Sequence, residues 1–313
     1  MQPDIIAIGE PMLEFNAEEE GALSEVGRFV VGWGGDTSNF SIAASRAGRR
    51  VGYLTRLGED EFGESFLRLW QREGIDVSRI VKDPDAFTAA YFISRKGRQH
   101  YFTYFRRGSA ASRMTPGFLP KDYIAGAKLL HVSGISQAIS QSACDTVFAA
   151  MAMARAAGRL VSYDPNFRPK LWPLDRARAV IHETCRQADL IFPSLDDARQ
   201  LTGLTAAEEI AMFYLRLGPK VAVIKLGAEG ALLATADGLR TFPPYKVDSI
   251  DMSGAGDTFD GAFVAGYLAG RPVQECMRFA NAAAALTTTG LGCVTPVPRR
   301  EAIEALMARQ PQG

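Results

Sequence analysis

Short apolar runs recur along this chain at 5–9, 51–57, 128–133, 160–164, 190–193 and 221–226, with helical patterns set between most of them. Continuous apolar runs of this length suit strands covered on both faces. The helical patterns at 38–47, 61–73, 141–157 and 175–187 supply the crossovers that parallel strands require. That order predicts an α/β fold with a mainly parallel central sheet and flanking helices. A further helix is expected around 259–267, where Phe259, Phe263 and Tyr267 recur on one face. The stretch 88–107 departs from the pattern. It reads as two β runs, 89–94 and 100–106, joined by the polar loop Arg95-Lys96-Gly97-Arg98-Gln99, and predicts a small β appendage projecting from the sheet. No repeat, low-complexity tract or linker divides the 313 residues.

The 35 Lys and Arg residues balance the 35 Asp and Glu, so the formal charge is zero. A nucleic-acid partner would demand a basic excess, and none is present. Cys144, Cys185, Cys276 and Cys293 stand far apart with no metal-type spacing, which predicts reduced thiols rather than a disulfide framework or zinc site. The first basic residue is Arg28, unlike a signal-peptide n-region. The uncharged run 279–298 carries Asn281, several threonines and two prolines, too polar for hydrocarbon. The expectation is a soluble cytoplasmic protein with no membrane partner.

The most informative segment is Asp251-Met252-Ser253-Gly254-Ala255-Gly256-Asp257-Thr258-Phe259. Its glycines lead into the helix expected at 259–267, so backbone N–H groups gather at a helix N-terminus and favour an anion. A carboxylate beside an anion site would repel the ligand if binding were its only task. Asp257 makes sense as a base that removes a proton from an attacking hydroxyl, while the N–H groups stabilise a transferring phosphoryl group. The plainer reading is an ordinary first-turn Asp favoured by the helix dipole. The chain has no G-x-x-x-x-G-K-[ST], G-x-G-x-x-G, G-x-S-x-G or H-E-x-x-H segment at the expected places. Those absences disfavour P-loop, hydride-transfer, hydrolase and zincin chemistries.

The segment resembles the D-T-x-G-A-G-D signature of the ribokinase-like (PfkB) carbohydrate kinases. Gly34-Gly35-Asp36-Thr37-Ser38-Asn39 is similar to that family's N-terminal glycine motif. Further similarity runs through 58–63 and 225–230, so it covers nearly the whole chain in order. The resemblance implies one ribokinase-like three-layer domain over 1–313, with a small β-sheet lid from about 11–33 and 88–113. It implies Asp257 as general base and Gly254, Ala255 and Gly256 as the anion hole, although Met252 and Ser253 depart from the commoner residues. It implies ATP and Mg2+ as cofactors. On the nucleotide side it points to Asn166, Ser194, Lys225, Gly227, Gly230, Gly254, Gly256 and Asn281. The family's N-x-x-E motif appears as Ser194-Leu195-Asp196-Asp197, so Asp197, directly or through water, is the expected metal-side carboxylate.

Two arginines narrow the substrate. Period-two alternation puts Phe102, Tyr104 and Arg106 on one strand face, with Tyr91 able to join them from the neighbouring run. Arg168, in Asp164-Pro165-Asn166-Phe167-Arg168, follows a buried-type strand, where ligands of open α/β sheets bind. Paired guanidiniums suit a carboxylate better than a neutral sugar. Tyr91, Tyr104, Arg106, Asp164, Asn166, Arg168, Leu171 and Trp172 resemble the 2-keto-3-deoxygluconate kinase branch. The implied substrate is a keto-deoxy sugar acid, with Gly34, Gly35, Asp36, Thr37 and Asn39 at its hydroxyls and its terminal hydroxyl at Asp257. A kinase for fructose or a nucleoside, or a silent sugar sensor on the same fold, remains the rival expectation. The aromatic hairpin predicts a homodimer through the lid.

Overall fold

The computed structural model describes residues 2–97 and 99–312. Among these, eight strands form the main sheet. Their spatial order is Gly238–Phe242, Ala231–Thr235, Val221–Lys225, Leu190–Ile191, Leu160–Asp164, Leu129–Ser133, Ile5–Ile8 and Val51–Leu54. Pairing is parallel from Val221–Lys225 to Val51–Leu54, and antiparallel at the Ala231–Thr235 and Gly238–Phe242 edge. The strand Ile5–Ile8 is wholly buried, and its alternate side chains enter different cores. Ile5 and Ala7 pack with the helices Asp36–Arg46, Ala255–Leu268 and Val273–Thr287. Ile6 and Ile8 pack with Gln141–Ala156 and Leu174–Gln187. Helices on both faces of one sheet make three layers, because each apolar strand face needs its own cover.

The run 51–57, expected as one strand, is two. Val51–Leu54 borders the main sheet, and Arg56–Gly58 leaves it to pair in parallel with Val81–Asp83. The break has a local cause. Arg56 is drawn to Asp83 at 2.8 Å, and the Val81 N–H donates to the Thr55 carbonyl at 3.2 Å.

A separate sheet orders Phe29–Gly34, Met12–Glu20, Ala90–Lys96 and Gln99–Phe105. Its hairpin closes more tightly than the sequence suggests. Pairing runs on to Lys96 with Gln99; of the expected loop, Arg98 lies outside the described residues. Register puts Glu14, Tyr91 and Tyr104 on one face and Phe15 with Phe92 on the other, where those two rings stack at 4.7 Å. No helix among the described residues is long and apolar enough to cross a membrane. The four cysteines are free thiols.

One close approach positions the site. Gly261 lies in the helix Ala255–Leu268, and a Cβ there would sit 2.5 Å from the Phe40 carbonyl and 2.8 Å from the Ala43 Cβ. Only glycine lets this helix lie so near Asp36–Arg46.

Candidate active site

Asp257 occupies the first turn of the helix Ala255–Leu268. The preceding Gly254 has φ 73°, and a Cβ on it would lie 2.9 Å from the Cys293 carbonyl, so this turn requires glycine. The Ala255 amide turns back to the Met252 carbonyl at 3.3 Å, and the first helical bond runs from Thr258 to the Gly254 carbonyl. The Gly256 and Asp257 amides are therefore the donors that the helix start leaves for an anion.

The Asp257 carboxylate accepts a 2.8 Å bond from the Asn39 amide. Burial, reinforced by the negative charges of Asp36 and Asp164, pushes its pKa up to about 7, against the Asn39 hydrogen bond and the Lys225 charge. A base with that pKa is matched to proton transfer near neutrality.

The ends of the parallel strands supply the facing wall. Asp164 closes Leu160–Asp164 and Lys225 closes Val221–Lys225; their side chains meet at 2.9 Å. The Lys225 ammonium also bonds Asp260 at 3.0 Å. Burial alone would lower the Lys225 pKa, but Asp164 and Asp260 hold it well above the usual lysine range, so the ammonium stays charged. Asp164 also accepts the Asn166 N–H at 3.1 Å, a tight turn in which Asn166 takes φ 35°. The Asn166 amide donates in turn to Asp36 at 3.1 Å. Arg168 projects from this turn with its side chain 47% exposed, 3.9 Å from Asp197. Asp197 accepts the Phe167 N–H, and burial raises its pKa.

Of these groups, Asp164, Asn166, Arg168, Asp197, Lys225 and Asp257 border one cleft of about 930 Å³. Its walls include Asn166, Arg168, Ser194, Asp197, Lys225, Gly227, Gly230, Gly254, Ala255, Gly256, Asp257 and Asn281, the nucleotide-side and anion-hole residues expected from sequence. Several of them also serve the fold. The Ser194 hydroxyl caps the helix Leu195–Thr202, and the Asn281 amide is spent on the Phe242 and Pro243 carbonyls. Among the described residues no cluster of three or more acidic, His or Cys side chains forms a ready metal cage. Mg2+ commonly needs only one or two carboxylates plus phosphate oxygens and water, and Asp164 and Asp197 on the cleft wall meet that demand.

The expected sugar-side residues are more divided. Asp36 and Asn39 adjoin Asp257 through the bonds just described. Gly34 and Gly35 carry the chain into the Asp36 helix: a Cβ on Gly34 would lie 2.5 Å from the Tyr91 hydroxyl, and Gly35 is the helix N-cap with φ 100°. Thr37 is wholly buried, and its hydroxyl is paired with Tyr53 at 2.8 Å, so its role here is in the core. Tyr91 is 6% exposed and donates its hydroxyl to Glu14, with the Cys293 thiol 3.8 Å away. Tyr104 is 40% exposed and shares its face with Arg106, whose guanidinium carbon lies 5.7 Å from the Tyr104 ring centre. Arg106 itself is engaged: Nε donates to Glu10 at 2.8 Å and Nη2 to the same oxygen, and Ser109 takes the other oxygen.

Sequence reasoning passed over Glu10, Glu14, Asp260 and Cys293. Asp260 had a signal, since a carboxylate amid Phe259, Gly261, Ala262 and Phe263 cannot be buried without a partner. Glu10 also had one, directly after the first strand's carboxyl end.

The chain is similar to known proteins over nearly its whole length. The family model described as pfkB family carbohydrate kinase matches residues 2–300. The chain is 35% identical to 2-dehydro-3-deoxygluconokinase of Bacillus subtilis (strain 168), covering 99% of this chain and 97% of that protein. It is 37% identical to the enzyme of the same name from Thermoproteus tenax, over 97% of this chain and 94% of that one. Fructokinase-1 of Oryza sativa subsp. japonica is 32% identical over 97% of each. A protein assigned as ribokinase II from E. coli, solved in complex with ATP and Mg2+, superposes with a TM-score of 0.92. It is 25% identical, with 98% of this chain and all of that chain covered.

Proposed function

The chain belongs to the pfkB family of carbohydrate kinases, and from that premise we propose that it phosphorylates a keto-deoxy sugar acid. The acceptor is the primary hydroxyl of 2-dehydro-3-deoxygluconate (2-keto-3-deoxygluconate) or a close relative. The observation that carries this reading is the pairing of Asp257 at a glycine-built helix start with the open guanidinium of Arg168 on the same cleft. The two relatives named 2-dehydro-3-deoxygluconokinase support the acid over a neutral sugar.

Bound ATP with Mg2+ supplies the transferable phosphoryl group and the metal charge that offsets its oxygens. The chain's part is to orient and to move one proton. Asp257 accepts the proton of the sugar's primary hydroxyl, and the Gly256 and Asp257 amides stabilise charge on the phosphoryl oxygens. Lys225, held by Asp164 and Asp260, adds a fixed positive charge beside that turn: its Nζ is 3.5 Å from where a Gly256 Cβ would stand. Arg168 takes the sugar carboxylate by charge-assisted hydrogen bonds. The four-stranded sheet covers the sugar as a lid and excludes water. Its exposed Val30, Val31, Tyr101, Phe102 and Phe105 support a second copy of this chain as its partner.

An ATP-coupled screen of sugar acids and neutral hexoses tests the substrate. The expected result is a kcat/KM for the keto-deoxy acid about 10²-fold or more above that for fructose, the worth of one charge-assisted contact or two. A preference for fructose would overturn the acid assignment in favour of the fructokinase reading, which the Oryza relative and the engagement of Arg106 by Glu10 favour.

A further inference from the structure

We propose that Asn39 is the positioning residue of the phosphoryl transfer: its amide NH2 holds Oδ2 of Asp257, so that Oδ1 alone is left to take the acceptor's proton. The inference rests on the reading of Asp257 as the base and deepens it.

The two residues stand 218 positions apart and meet because two helices are pressed together. Asn39 lies in the first turns of Asp36–Arg46, and Asp257 in the first turn of Ala255–Leu268. Gly261, one turn beyond Asp257, removes the side chain that would hold these helices apart. At 2.8 Å the contact is a full hydrogen bond, and its direction follows from chemistry, since a carboxylate oxygen needs a donor and only the amide nitrogen can give one. A carboxylate turned by such a bond presents one oxygen in a set direction, which is what abstraction from a positioned hydroxyl requires.

A second observation points to the ligand. Asn39 is 2% exposed, and its Oδ1 has no hydrogen-bond partner among the described residues. A buried acceptor without a donor is costly, and a sugar hydroxyl is the donor that would satisfy it. One amide then touches the sugar with its oxygen and the base with its nitrogen. In the transfer, the proton leaves the primary hydroxyl for Asp257 Oδ1. The hydroxyl oxygen forms its bond to the γ-phosphorus while the bond from that phosphorus to the β,γ-bridging oxygen breaks, and ADP departs with that electron pair.

The electrostatic setting makes the bond measurable. Asp257 faces Asp36 from the neighbouring helix, Asp164 and Lys225 from the strand ends, and Cys293 from the loop beneath Gly254. Asp36 and Asp164 favour its protonated form, whereas Lys225 and Asn39 favour the carboxylate. Deleting the Asn39 donor therefore moves the Asp257 titration upward.

The test compares Asn39→Ala and Asn39→Asp with the wild type by pH profiles of kcat/KM. A hydrogen bond to a charged group is worth about one pH unit. The acidic limb is expected to rise by about that much in Asn39→Ala and further in the nearly isosteric Asn39→Asp, with kcat lowered on the order of tenfold. An infrared titration of the Asp257 carboxyl, identified by its loss in Asp257→Asn, reads the same shift without turnover. An acidic limb and carboxyl band that stay put in the folded Asn39→Asp protein would overturn the proposal. Absence of phosphoryl transfer in the wild type would instead remove the kinase substrate reading, and the infrared shift would still decide the role of Asn39.

Discussion

Two arginines were expected at the sugar carboxylate, and the structure treats them differently. Arg106, at the end of the hairpin strand Gln99–Phe105, is 11% exposed and locked in a fork on the fully buried Glu10. Arg168, in the turn after the strand Leu160–Asp164, is 47% exposed, donates to the Phe167 carbonyl at 3.0 Å and comes no nearer than 3.9 Å to the Asp197 carboxylate. The first charge is compensated inside the protein, and the second is available to a ligand. Residue type alone weights them equally; desolvation and partner distance separate them. Arg106 ties the end of Gln99–Phe105 to the chain that follows Ile5–Ile8, while the Arg168 guanidinium stands on the cleft wall.

The contrast can be broken experimentally, beginning with stability. Arg106→Ala strands Glu10 in the interior and is expected to cost about 3–5 kcal/mol, read as a fall in Tm, with Glu10→Gln/Arg106→Ala recovering most of the loss. If both single and double variants melt like the wild type, Arg106 is no latch. Next in size, Asp257→Asn should lower kcat by at least about 10² while nucleotide still binds calorimetrically. Near-normal turnover would remove Asp257 as the base.

Arg168→Ala is expected to raise KM for the sugar acid by about 10- to 100-fold with little change in Tm or in KM for ATP, the reverse of the Arg106 pattern. A similar fall in Tm for both variants would erase the distinction. The smallest effect is the wild-type pH profile. With its folded pKa raised to about 7, Asp257 is protonated below that value, so kcat/KM should fall tenfold per pH unit below about 7 and level off above it. A limb near the ordinary Asp range would show that Lys225 and Asn39 outweigh burial.

Much of this was legible in the sequence because it is local. The apolar runs located six strands of the main sheet, since a strand buried on both faces must be apolar at successive positions. The glycines at Gly254 and Gly256 marked the helix start that carries Asp257. The run 51–57 misled because Thr55 and Arg56 answer to a strand 25 residues on, a contact with no trace in local periodicity.

The chain's own order of residues thus determined which segments are strands, where the Gly254–Gly256 turn lies and that Asp257 begins a helix. Those features depend on neighbours a few positions away, through backbone sterics and side-chain period. Tertiary structure alone decided that Arg106 is spent on Glu10, that Thr37 faces Tyr53, and that Lys225 is gripped by Asp164 and Asp260. It also brought Asn39 to Asp257 across 218 positions. Hydrogen bonds and buried charges act over a few ångströms of space, and the packing of helices on the sheet sets which distant residues come that close.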